Sequence, residues 1–175
     1  MKAVVVYESM YGNTHLIADA IAEGLRPHGD VVVVPVDHAD GTLVADADLV
    51  VVGGPTHAHG MSHESTRKAA AEAAGKPGAD LELDPDAEGP GLRDWFESLA
   101  GVTKAAAFDT RVDVPAAFGG RASKGIARRL RHQGAKLVAD PESFFVTKQT
   151  HLEPHEADRA REWGAGLAVA LDRAK

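Results

Sequence analysis

The chain predicts an α/β protein with a parallel sheet held between two layers of helices. Two observations carry this. Short β-branched runs at residues 4–7, 31–36 and 48–53 are apolar on both faces, as strands covered on both sides must be. Stretches with apolar residues at helical spacing separate them, the pattern of parallel strands joined by crossover helices. At 175 residues and 44% hydrophobic, the chain suits one domain with a substantial core.

The first run stops at Glu8, and Ser9, Met10, Tyr11, Gly12, Asn13 and Thr14 form a tight polar loop. Leu16, Ile17, Ala20, Ile21, Gly24 and Leu25 then repeat at helical spacing. A strand, a small loop and a helix start aim backbone N–H groups and the positive end of a helix dipole at one spot. Such a spot binds an anion, most often a phosphate. Ser9, Asn13 and Thr14 add side-chain donors, and Gly12 admits close backbone approach. Helix capping favours the same residues for local reasons, and the loop alone does not separate the two readings.

Pro27 and Gly29 break the chain before the second run, and a polar connection at 37–42 leads toward the third. Gly54, Pro55, Thr56, His57, Ala58, His59, Gly60, Met61 and Ser62 follow as an irregular loop, and 65–74 as a helix. Segment 75–91 is punctuated by Pro77, Pro85 and Pro90 and carries Asp80, Glu82, Asp84, Asp86 and Glu88. It reads as an exposed acidic excursion within the domain. A short helix at 92–99, with Trp95 and Phe96 as core, precedes a fourth strand at 104–108 and a long loop at 109–120.

The helix at 123–133 turns Ile126, Ala127 and Leu130 inward and Arg128, Arg129 and Arg131 outward, and Gly134 ends it. Residues 136–138 and 143–146 read as one fifth strand interrupted around Asp140 and Pro141. The last helix starts near Pro154 with Ala157, Ala160, Gly164, Leu167 and Leu171 as its core stripe.

Composition narrows the function. The absence of cysteine excludes disulfides, thiolate catalysis and cysteine-ligated metals. A net charge of −7 argues against nucleic acid and anionic membranes as partners. No apolar stretch is long enough to span a membrane, and no signal-peptide pattern opens the sequence, so a cytoplasmic location is expected.

In an open parallel sheet, ligands bind at loops leaving the carboxyl ends of strands, near the point where strand order reverses. Loops 9–14, 54–62 and 109–120 occupy such ends. The first resembles the flavodoxin phosphate loop, Thr/Ser-x-Thr-Gly-Asn-Thr. It is still more similar to the Ser-Met-Tyr-Gly loop of quinone oxidoreductases of the tryptophan-repressor-binding-protein type. Gly53, Gly54, Pro55 and Thr56 after the third strand also look like that group. The resemblance runs through the element order of the whole chain, and its specific part is the first loop.

It implies a flavodoxin-like three-layer sandwich with a five-stranded parallel sheet, and FMN as cofactor. Ser9, Met10, Tyr11, Gly12, Asn13 and Thr14 would hold the phosphate. Pro55, Thr56, His57, Ala58, His59, Gly60 and Met61 would lie along the isoalloxazine, with Thr110, Arg111, Phe118 and Gly119 on its other side. Two departures stand out. Tyr11 replaces the usual threonine, and His57 and His59 stand where flavodoxins offer a flat Trp or Tyr.

Other readings are weaker. His57, His59 and His63 lack a cysteine and any nearby carboxylate but Glu64, so no metal is expected. The acidic alternation at 80–88 puts Pro85 where a calcium loop needs glycine. A receiver domain needs an acceptor Asp where Gly53, Gly54 and Pro55 stand, and a tyrosine phosphatase needs a cysteine. Neither Gly-x-Gly-x-x-Gly nor a P-loop motif occurs.

The expected function is an FMN-binding electron carrier. An NAD(P)H-dependent quinone oxidoreductase and a flavin-free interaction module are the alternatives. Expected partners are a redox protein or a small quinone, with the chain a monomer or small homo-oligomer.

Overall fold

The computed structural model describes residues 1–57, 59–115 and 119–174. In chain order, β1 is Lys2–Tyr7, α1 Asn13–Leu25, β2 Asp30–Pro35, α2 Gly41–Ala45, β3 Leu49–His57 and β4 Gly60–Met61. Next come α3 Glu64–Ala74, α4 Leu92–Ser98, β5 Lys104–Val112, α5 Ala122–His132, β6 Lys136–Leu137, β7 Glu142–Val146 and α6 Glu156–Arg173.

The main sheet runs β2-β1-β3-β5-β6, all parallel. β7 continues alongside β5 beyond β6, so the interrupted fifth strand is present as two pieces on one neighbour. The order reverses between β1 and β3, which makes the loops leaving those strands the two sides of one crevice.

Strand residues alternate between two cores. Val4, Val6, Val50, Val52, Ala105 and Ala107 pack with α4 and α5 residues such as Phe96, Ile126 and Leu130. Ala3, Val5, Tyr7, Val51, Ala106 and Phe108 pack with α1 and α6 residues such as Ile17, Ile21, Leu167 and Leu171. Full burial of each such valine or leucine contributes roughly 1.5–3 kcal/mol, which favours apolar runs over alternation. α1 and α6 meet backbone to backbone: a Cβ on Gly24 would strike the Arg161 carbonyl, and one on Gly164 the Ile21 carbonyl. Among the described residues, no helix is long and apolar enough to cross a membrane.

Several expectations need correction. Leu16, assigned to the inward stripe of α1, is 57% exposed, and Ala18 and Ala22 are buried instead. Thr42, placed in a polar connection, lies in α2, whose cap is Asp40 accepting from Leu43 N–H at 2.8 Å. β3 does not end at Gly53: it continues to His57 and turns back into β4 as an antiparallel hairpin. β5 likewise runs four residues past Phe108, to Val112. The two extensions support each other, with Gly53 opposite Phe108, Gly54 opposite Asp109 and Pro55 opposite Thr110.

The acidic segment is exposed from Gly75 to Asp80, but not throughout. Asp84 and Ala87 are 6% and 5% exposed, and Asp84 N–H donates to the Met10 carbonyl at 2.8 Å. Part of the excursion is thereby docked on the first loop.

Candidate functional site: a cradle at the strand-order reversal

Gly12 adopts φ +84°, a left-handed conformation that glycine takes without strain, and turns the chain into α1. Its N–H donates to Ser9 Oγ at 3.1 Å, closing the loop on itself. Among the described residues, nothing accepts from the backbone N–H groups of Tyr11, Asn13 and Thr14. These are the orphan donors of a helix start, clustered behind a tight turn. No side chain caps α1, so the capping reading of Ser9, Asn13 and Thr14 does not account for them.

The cleft above this loop is lined by ten of the expected residues: Ser9, Met10, Tyr11, Asn13, Thr14, Pro55, Thr56, His57, Thr110 and Arg111. Val112, Val146, Thr147, Lys148 and Thr150 complete it. The walls are tied together. Thr14 and Thr110 share a hydroxyl bond at 2.7 Å, Asn13 Nδ2 donates to the Thr150 carbonyl at 2.7 Å, and Tyr11 OH donates to Ala70 at 2.9 Å. Arg111 is anchored by the Val114 carbonyl at 2.6 Å and lies 4.9 Å from the Phe145 ring. Burial pushes the His57 imidazole below its ordinary value, opposed by the charge of Glu8 and reinforced by that of Arg67.

Gly12 stays with the loop, and His59, Gly60, Met61 and Gly119 fall elsewhere. Met61 is 5% exposed and belongs to the core with Ile126. His59 and Gly60 sit on the hairpin outside the cleft lining. A Cβ on Gly60 would meet open space, so glycine is not required there. Gly119 packs on Val114, where a Cβ would come within 2.6 Å of Cγ2. Ala58 and Phe118 lie outside the described residues.

The loop after β7, with Thr147, Lys148 and Thr150, went unread in the sequence. The strand-end rule that selected the other loops applies to it, since the fifth strand was expected to end at Val146 and β7 does end there. Glu8 was also passed over. It is 6% exposed, accepts from Leu92 N–H at 2.8 Å and from the Ser62 hydroxyl, and so fastens the first loop to the β3–β4 hairpin and α4.

Fold and site define a doubly wound α/β protein with a cleft at its switch point, floored by backbone N–H groups that have no acceptor among the described residues. The family model for flavodoxin matches residues 5–163, and the chain belongs to the flavodoxin family. FMN is the cofactor of that family, and electron transfer its role.

Among solved structures, the chain resembles a flavodoxin from the domain Archaea at 21% identity and TM-score 0.66, covering 98% of this chain and 99% of that one. Flavodoxin 1 from Bacillus cereus shares 21% identity and TM-score 0.65 over 97% and 98%. A WrbA-like flavodoxin protein from Agrobacterium tumefaciens shares 21% identity and TM-score 0.61 over 99% of each chain. At these identities the structures attest the fold. No curated protein sequence matches the chain.

Proposed function

We propose that this protein binds one FMN non-covalently in the cleft between the 9–14 loop and the β3 and β5 ends, and passes electrons to a redox partner. The charge of the cleft carries this reading. In a chain of net charge −7, its lining holds Arg111 and Lys148 and no carboxylate among the described residues. Together with the orphan N–H groups at Tyr11, Asn13 and Thr14, that lining suits a phosphate dianion. FMN supplies the reversible one- and two-electron chemistry when bound. The chain's own residues hold the phosphate, orient the ring against Pro55, Thr56 and His57, and exclude water beneath it. The visible spectrum of purified protein before and after adding FMN tests this. Flavin bands saturating near one per chain are expected, and no binding of added FMN would sink the proposal.

One observation favours a second reading, reduced-nicotinamide-dependent quinone reduction. Among the described residues of the cleft lining, Tyr11 and His57 are the aromatic side chains, and the Tyr11 hydroxyl is tied away to Ala70. With no tryptophan in that lining, a flat substrate has room to stack. The discriminating experiment mixes the FMN-loaded protein with excess NADPH or NADH and then with a soluble benzoquinone. Loss of visible absorbance within seconds, followed by steady quinone turnover, selects the reductase. No reaction with either nucleotide selects the carrier.

A further inference from the structure

We propose that His15, Asp84 and Asp86 form a binding site for one divalent transition-metal ion, which pins the acidic segment to the base of the first loop. One ligand atom from each residue lies within 4.8 Å of the other two. His15 is in the first turn of α1, and Asp84 is 69 residues away in sequence.

Three features make this more than a group of acids. The first is spacing. His15 Nδ1 and Asp84 Oδ2 are 3.3 Å apart, longer than a good N–H···O bond at about 2.9–3.0 Å. With metal–ligand bonds of roughly 2.0–2.1 Å, the edge of a tetrahedral site is about 3.3 Å, so these two atoms already stand at coordination distance from each other.

The second is charge. The Asp84 side chain is 2% exposed, and among the described residues no lysine or arginine pairs with it or with Asp86. Its other contact is the backbone N–H of Asp86 at 3.2 Å. A buried carboxylate is ordinarily matched by a cationic side chain or a metal, and here no lysine or arginine fills that place, leaving His15 as the neighbour of Asp84.

The third is the outer shell. The Tyr7 ring stacks on the His15 imidazole at 4.3 Å and 19°, and its hydroxyl donates to Asp86 Oδ2 at 3.2 Å. His15 Nε2, the nitrogen turned away from the site, faces the Asp19 carboxylate at 3.8 Å. An imidazole with one nitrogen toward the ion and the other toward a carboxylate is the usual arrangement of a metal-ligating histidine.

One imidazole and two carboxylates suit Zn²⁺ or Mn²⁺ better than Ca²⁺ or Mg²⁺, with water completing the shell. The Asp84 Oδ2 atom lies 3.9 Å from where a Cβ on Gly12 would sit, so the ion's charge would offset carboxylates at the back of the phosphate cradle. That consequence rests on the FMN reading; metal binding itself does not.

Isothermal titration of the purified protein, after dialysis against EDTA, tests the site with ZnCl₂ and MnCl₂, using MgCl₂ for comparison. One Zn²⁺ per chain is expected. This binding should be lost in His15→Gln and in Asp86→Asn, and kept in His28→Gln, whose imidazole is exposed and outside the cluster. Should His15→Gln fail to fold, Asp86→Asn at the half-exposed rim decides alone. Absence of one-to-one Zn²⁺ binding in the unmodified protein overturns the proposal, as does binding unchanged by Asp86→Asn.

Discussion

The hydroxyls of Thr14 and Thr110 lie 2.7 Å apart and buried, though the two residues are 96 positions apart in sequence. One belongs to the first turn of α1 and the other to the extension of β5, so the bond joins the 9–14 loop side of the cleft to the β5 side. It uses one hydroxyl proton and leaves the other free to donate to a ligand. Thr14→Ala should weaken FMN by about 1.5–3 kcal/mol, the range of a bond to a charged group, while riboflavin, lacking the phosphate, loses less. A double-mutant cycle of Thr14→Ala with Thr110→Ala, read by chemical denaturation, should give a coupling of about 0.5–1.5 kcal/mol. Equal affinities for FMN and riboflavin in the unmodified protein would remove the phosphate assignment.

Gly53 and Gly60 make opposite predictions, although both sit beside the expected ring site. A Cβ on Gly53 would run into the Phe108 ring, which fills the space a side chain would need. Gly53→Ala should therefore cost about 1–3 kcal/mol as overpacking, measured by thermal melting. At Gly60 a Cβ meets nothing within 4 Å, so Gly60→Val should leave folding nearly unchanged. Comparable melting temperatures for the two variants would contradict this packing.

The contrast explains what was legible in the sequence. Val4–Tyr7, the Gly134 stop at φ +90° and the cradle at Ser9–Thr14 are local: each is written in adjacent residues by hydrophobic pattern, backbone freedom or donor chemistry. The extensions of β3 and β5 were not legible. Parallel pairing satisfies backbone groups at Pro55, Thr110 and Arg111 without requiring apolar side chains there. Nor was the burial of Asp84, because it depends on contacts with Met10 and His15 from a distant part of the chain. An acidic, proline-rich segment has the composition of a free loop until such a partner is found for it.

That docking gives the excursion a part in stability that a free exposed loop would not have. Replacing residues 77–88 by a short Gly/Ser linker removes the Asp84 N–H bond to Met10 at 2.8 Å, the Tyr7–Asp86 bond at 3.2 Å and the Asp84–His15 contact at 3.3 Å. At about 0.5–1.5 kcal/mol for each bond, stability should fall by roughly 1–3 kcal/mol, and FMN affinity should drop with it because Met10 lines the cleft. A replaced chain with unchanged melting temperature and FMN dissociation constant would restore the free-loop view.

His57 sets a pH dependence of defined sign. Burial lowers its folded-state pKa below the ordinary 6.5, Glu8 partly restores it, and Arg67 lowers it further. The unfolded chain therefore takes up the His57 proton at a higher pH than the folded chain does. Between 6.5 and the lower folded value, the unfolded state binds more protons, so stability rises with pH in that window and declines as the solution is acidified through it. Protonation of His57 carries a desolvation cost that the Glu8 charge partly offsets. Denaturation midpoints of the flavin-free protein, measured from pH 7.5 down to about pH 5 across this ordinary histidine range, should decline more steeply for the unmodified chain than for His57→Gln. The variant has no proton to take up at that position. Glu8→Gln should steepen the decline instead, because it removes the charge that opposes burial. Parallel pH profiles for the unmodified chain and His57→Gln would place the acid sensitivity elsewhere.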